Sequence, residues 1–155
     1  MSQETEMKLW QEIDRLKRQV ERLKVGEVGG GDSWVYLTTP LTSTSWDGDS
    51  YSDTAKTLID LSSVFGAPAG IKAILARLAA RDSGSSGQTS LYFGISPNDV
   101  SVSITMCCRP TGTADSQSEQ VGICPCDENG DIYYQINAYG SGTMDCWFEI
   151  WGYLP

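Results

Sequence analysis

Five cysteines are the residues best suited to chemistry in this 155-residue chain: Cys107, Cys108, Cys124, Cys126 and Cys146. A Cys-Cys pair and a Cys-Pro-Cys pair invite a zinc reading. A structural zinc site, however, spaces its paired ligands by about two to four residues, and neither pair does. An odd count with an adjacent pair does not make a secreted disulfide framework either. We read all five as reduced, buried or half-buried thiols, with Cys146 a small core residue between Met144 and Phe148. The run Asp127-Glu-Asn-Gly-Asp131 spaces its oxygens like a calcium loop, but the position that needs a glutamate is Ala138. Asp47, Asp49 and Asp53 form a second oxygen-rich group. Both groups read as turns, where Asp and Asn side chains bond their own backbone. The expectation is that the chain holds no metal and no cofactor.

Catalysis lacks its usual apparatus. There is no histidine, which removes the commonest general base and the commonest metal ligand together. No Gly-x-Ser-x-Gly elbow presents a serine, and no carboxylate pair stands out as a glycosidase acid and nucleophile. We therefore expect a non-enzymatic protein. Lys and Arg number 11 against 20 Asp and Glu, a formal charge of −9. That balance argues against nucleic acid and against an anionic membrane surface, both of which select basic patches. No apolar run approaches the roughly 20 residues of a spanning helix, and the opening Met1–Met7 is polar and acidic, unlike a secretory leader.

The charges are not evenly spread. Residues 1–27 hold six basic and six acidic residues, so the whole −9 lies in residues 28–155. Of the aromatic residues only Trp10 falls in the first segment. Within it Leu9, Ile13, Leu16, Val20 and Leu23 alternate spacings of four and three, a heptad with Ile13 and Val20 at a and the leucines at d. Residues 1–25 are thus expected to form a coiled-coil stalk with those five residues as its oligomerisation seam. The repeat covers under three heptads, so something downstream must help to hold an assembly together. Gly26 to Asp32, with three consecutive glycines, reads as a hinge.

Residues 33–155 read as a β head. Val100–Met106, Ile132–Ala138 and Met144–Trp151 alternate with period two, and 34–38, 56–61 and 89–95 are shorter strand candidates. Gly, Ser, Asn and Asp clusters divide them, including the hairpin signal Asn129-Gly130. Many short strands with such turns predict an antiparallel β-sandwich, jelly-roll-like in layout. The run Ile71, Ile74, Leu75, Leu78 has helical spacing in an alanine-rich segment.

With stalk, hinge and head in place, the chain resembles bacteriophage virion proteins of the fibre or tail-appendage kind. The resemblance rests on Trp46-Asp-Gly-Asp49, Ile59-Asp-Leu-Ser62, Phe65-Gly66, Pro68-Ala-Gly70, Arg81-Asp-Ser83, Gly122-Ile-Cys-Pro-Cys126, Asp131-Ile-Tyr133 and Phe148-Glu-Ile-Trp-Gly-Tyr153, over most of 44–155. It implies a homotrimer, and a core strand over 70–81 in place of the helix that the spacing suggests. It also implies location in the virion after assembly in the host cytoplasm, with the stalk meeting other virion proteins and the head meeting a host-surface glycan or protein. A capsid or neck decoration protein and a cellular glycan-binding lectin module are the alternatives. The loops Ser83–Thr89 and Arg109–Gln120 are the candidate recognition elements, because loops vary without disturbing a sandwich. Candidate recognition residues are Arg109, Thr111, Ser116, Gln117, Trp46 and Tyr139. Trp147 and Trp151 fall opposite Phe148 and Ile150, so one set is expected outside the main core. The large aromatics Trp34, Trp46, Tyr51, Tyr133, Tyr139, Trp147 and Trp151 exceed what one small core requires and are expected to be buried between subunits or to face a sugar or protein partner.

Overall fold

The computed structural model describes residues 17, 33–46, 48, 53–84, 90–100, 103–110, 115–140 and 142–155, with the side chains of 53 and 54 excepted. The chain divides into two units, Met1–Asp32 and Ser33–Pro155. The seam residues Leu9, Ile13, Leu16, Val20 and Leu23, the hinge and Thr111 lie outside the described residues.

The second unit is mainly β. Among the described residues its strands are β1 (Val35–Leu41), β2 (Asp53–Ile59), β3 (Ala73–Asp82), β4 (Tyr92–Ser96), β5 (Met106–Cys108), β6 (Ser118–Pro125), β7 (Ile132–Asn137) and β8 (Met144–Leu154), with one short helix, α1 (Leu61–Phe65). They form two antiparallel four-stranded sheets, ordered β1-β8-β3-β6 and β2-β7-β4-β5. The pairings β4–β5, β3–β6, β2–β7 and β1–β8 nest inside one another, so β4–β5 is the one pairing of chain neighbours among them.

Alternation explains most of this. On β8, Met144, Cys146, Phe148 and Ile150 are buried while Asp145, Trp147, Glu149 and Trp151 are not. β7 likewise sends Ile132, Tyr134 and Ile136 into a core shared by both sheets, where they meet Ile74, Leu78, Phe93 and Phe148. Residues 73–82 form a strand despite their helical spacing. Between β8 and β6, the inward Ile74, Ala76, Leu78, Ala80 and Asp82 of β3 are buried, the outward Leu75, Arg77 and Arg81 are half-buried, and only the small outward Ala73 and Ala79 break the alternation. The helix α1 is set by its ends. The Asp60 carboxylate accepts the Ser63 N–H at 2.9 Å, and Gly66 closes the other end in a left-handed conformation.

Three expectations meet a different placement. Trp46, a candidate recognition residue, is half-buried against the core: its indole lies among Phe65, Phe93, Tyr134 and Phe148 at centroid distances of 5.5 to 6.4 Å. The backbone crosses the core closely there, since a Cβ on Gly48 would stand 2.5 Å from Cys146 Cβ and 2.9 Å from the Trp46 ring. Of the expected strand Val100–Met106, the described residues Val100, Ser103, Ile104 and Thr105 are not in a strand, and β5 begins only at Met106. Ile104 occupies the space beside Gly94, and Lys56 Nζ donates to Ser96 Oγ at 2.7 Å and to the carbonyls of Asn98 and Ser103. Finally, Asn129-Gly130 is a turn but not a hairpin, because it joins β6 of one sheet to β7 of the other.

Candidate recognition surface

The two ends of the head differ in composition. β1 starts at Val35 opposite Tyr153, and Tyr153 also lies opposite Ile74 near the start of β3. The chain therefore enters the head at this end. The far end of β3, Asp82, pairs with Met144, and a strand rise of about 3.3 Å per residue places it roughly 26 Å from the Ile74 level.

At that far end the loops converge on Asp82, whose side chain is fully buried. Its carboxylate accepts the Gly84 N–H at 2.9 Å and the Tyr139 N–H at 2.8 Å, and its carbonyl accepts the Asp115 N–H at 3.2 Å. A buried charge is tolerated when several donors converge on it, as they do here. The Ser83 N–H and hydroxyl both donate to the Thr143 carbonyl, and Asn137 Nδ2 donates to the Ser90 carbonyl at 2.8 Å. One end of the head therefore gathers the segments around 83, 90, 115 and 139–143.

Side chains on this end combine aromatic surface with paired charge. Tyr139 is 52 % exposed, and its ring rests where a Cβ on Gly84 would approach to 2.7 Å. Arg81 Nε donates to the Asp145 carboxylate at 2.8 Å, approaches Asp115 at 3.9 Å, and lies 5.7 Å from the centre of the exposed Trp147 ring. Arg109 is exposed and stands 5.5 Å from the centre of the Tyr92 ring, while its carbonyl accepts the Ser118 hydroxyl. Burial pushes the Tyr92 phenol above its ordinary pKa, with Cys107 adding to the rise and Arg109 opposing it. Gln117 is exposed and donates to Glu119 at 2.6 Å, and Ser116 is half-buried.

Of the sequence candidates, Arg109, Ser116, Gln117 and Tyr139 thus lie on segments at this end, and Trp46 does not. The sequence reading missed Arg81, Asp115 and Tyr92 as their companions. Arg81-Asp82-Ser83 enters the sequence reading only through the resemblance, and nothing in it points to Asp115 or to Tyr139. It also took Ser118–Gln120 as loop, whereas β6 begins at Ser118.

The other reactive groups are occupied. The Asp127 carboxylate accepts the N–H groups of Asn129 and Asp131, and Asp131 accepts the Leu61 N–H at 3.0 Å, so this run works as a turn. Among the described residues no three His, Cys, Asp or Glu side chains gather as a metal cage. All five cysteines are free thiols. Burial pushes Cys124 and Cys126 up to about 12, leaving essentially no thiolate to act as nucleophile or ligand near neutrality.

No protein-family model matches the chain, and comparison with curated proteins finds no match.

Proposed function

We propose that the chain is a non-enzymatic bacteriophage virion protein: a homotrimeric fibre or tail-appendage protein whose head contacts a host-surface glycan or protein. The observation that carries this reading is the gathering of loops, with exposed Tyr139 and Arg109, at the end of the head opposite the one where the chain enters from residues 1–32. A head tethered to a particle through its N-terminus meets the host with its far end. The nested pairing of eight strands supports a jelly-roll sandwich, an architecture shared by viral capsid and lectin domains. The heptad over residues 9–23 supports a short coiled-coil stalk that aligns three chains and meets other virion proteins. With a charge of −8, the head disfavours an anionic receptor and suits a neutral glycan on an aromatic face or a basic protein patch.

Competition for host adsorption tests this. The soluble full chain is expected to block attachment of its own particle, and Tyr139→Ala together with Arg109→Ala is expected to weaken the block. Failure of the unaltered chain to compete, with binding to assembled particles retained, would replace adhesion by the decoration role. Glycan binding by a chain that no particle incorporates would favour the lectin module.

A further inference from the structure

The two sheets treat their outer faces differently. Part of the outer face of β2-β7-β4-β5, around β4, is covered by the chain itself, through Ile104 against Gly94 and the Lys56 contacts to Ser96, Asn98 and Ser103. No described segment does the same for β1-β8-β3-β6. Its outward residues are identified by register: Val121 lies opposite Arg77, Ile123 opposite Leu75, and Tyr36 and Leu75 both opposite Gly152. Of eight large apolar side chains exposed among the described residues, four stand on this one face: Tyr36 (71 %), Val121 (62 %), Ile123 (53 %) and Trp147. Val121 and Ile123 occupy one edge strand and Tyr36 the opposite edge strand.

The charges on this face say what covers it. Arg77 bridges Glu119 at 2.7 Å and Glu149 at 3.1 Å, Arg81 binds Asp145, and Trp151 Nε1 donates to Glu149 at 2.9 Å. These five charges sum to −1 on a head of −8. A second acidic copy is repelled elsewhere on the head, but here it meets a nearly neutral surface whose ions already hold partners. On burial each of these ions keeps an opposite partner, with Arg77 shared by Glu119 and Glu149. Four strands at about 4.8 Å and the ten residues of β3 give a face on the order of 600 Å² in projection. That is somewhat below the roughly 800 Å² per partner of a self-sufficient interface. It fits a contact that works together with a stalk too short to hold an assembly alone.

We infer that the outer face of β1-β8-β3-β6 packs against the same sheet of neighbouring copies of this chain, turned toward their shared axis. The inference rests on the multimeric reading above and assigns its surface. In a cyclic assembly the contact is heterologous, the β6 edge of one head meeting the β1 edge of the next. Val121 and Ile123 of one copy then face Tyr36 of its neighbour.

Light scattering of the full chain over a range of concentrations tests this, comparing V121E/I123E, Tyr36→Glu and the control Leu58→Glu. Leu58 is exposed on the other sheet. All four positions are exposed, so each variant is expected to melt cooperatively, and Tyr36→Glu repeats the test without touching β6. The expected result is at least a ten-fold rise in the dissociation concentration for V121E/I123E and for Tyr36→Glu, with Leu58→Glu unchanged. A multimer indifferent to both face variants overturns the surface and leaves the multimeric reading standing. Equal weakening by Leu58→Glu also overturns it. An unaltered chain that stays monomeric at every concentration overturns both readings. Loss of particle or glycan binding by the face variants, with the multimer intact, gives the face to another occupant and overturns the inference as well.

Discussion

The carboxylate of Asp82 accepts the backbone N–H of Tyr139 at 2.8 Å, across 57 residues of sequence. With Gly84 on the second carboxylate oxygen, this bond ties the end of β3 to the segment that presents the exposed tyrosine. Asp82→Ala is expected to leave two buried N–H groups without acceptors and to cost about 3 kcal/mol or more, read as a fall in denaturant midpoint. Asp82→Asn keeps one acceptor oxygen and is expected to lose less. Equal losses would mean that the carboxylate is not what organises this end.

Gly84→Ala separates stability from recognition. The added methyl meets the Tyr139 ring at 2.7 Å, so the ring is expected to swing aside. Host adsorption should weaken while the melting temperature shifts little. Unchanged adsorption would show that the position of Tyr139 does not matter to binding.

Trp46 packs against the core, and its indole N–H is buried without a hydrogen-bond partner. Trp46→Ala is expected to destabilise the head by about 3–5 kcal/mol, as large aromatic truncations do. Trp46→Phe removes the unsatisfied N–H and keeps a ring, so equilibrium unfolding should show a much smaller loss.

Lys56 Nζ donates to acceptor oxygens of Ser96, Asn98 and Ser103, and burial draws its ammonium below the ordinary lysine pKa. Lys56→Met is expected to speed hydrogen exchange at the Thr105 amide, which donates to the Ile95 carbonyl at 2.9 Å. Exchange in the β3 amides should stay slow. Acceleration throughout would mean global unfolding rather than release of this segment.

Acid stability follows from opposed carboxylates. Backbone N–H donation from Ser63 holds Asp60 below its usual pKa, and the Arg77 guanidinium does the same for Glu119. Groups depressed in the folded state contribute stability above the unfolded pKa and lose it as pH falls through the folded value. Asp131 works in the other direction, because burial first, then Asp60 and Asp127, raise its pKa. Its protonation therefore favours the fold as pH drops. Denaturant midpoints against pH should show a flatter acid limb for Asp60→Asn and a steeper one for Asp131→Asn.

The thiols give a simple check on burial. With Cys124 and Cys126 pushed up to about 12, iodoacetamide at pH 8 should leave both unmodified in the folded chain and alkylate both after denaturation, as read by peptide mass. Rapid native alkylation of Cys124 would contradict its place in the core.

What the sequence by itself determined is the β character of the head and most of its inward residues. β7 and β8 were legible because one face of each is apolar, so the pleat's period of two is written directly in residues such as Met144, Phe148 and Ile150. Tertiary structure decided the rest, wherever a residue's environment comes from a distant element. On β3 the alternation is blurred because the small outward Ala73 and Ala79 are also buried between the flanking strands. β6 was hidden because Val121 and Ile123 point outward from an edge strand, and Val100–Thr105 misled because Ile104 covers a sheet instead of extending one. Asn129-Gly130 specifies a turn locally, but which sheet receives the next strand depends on pairings dozens of residues away. The same holds for the far end of the head. Asp82, Asp115 and Tyr139 carry no common local pattern, and only closure of the two sheets over one core brings them together.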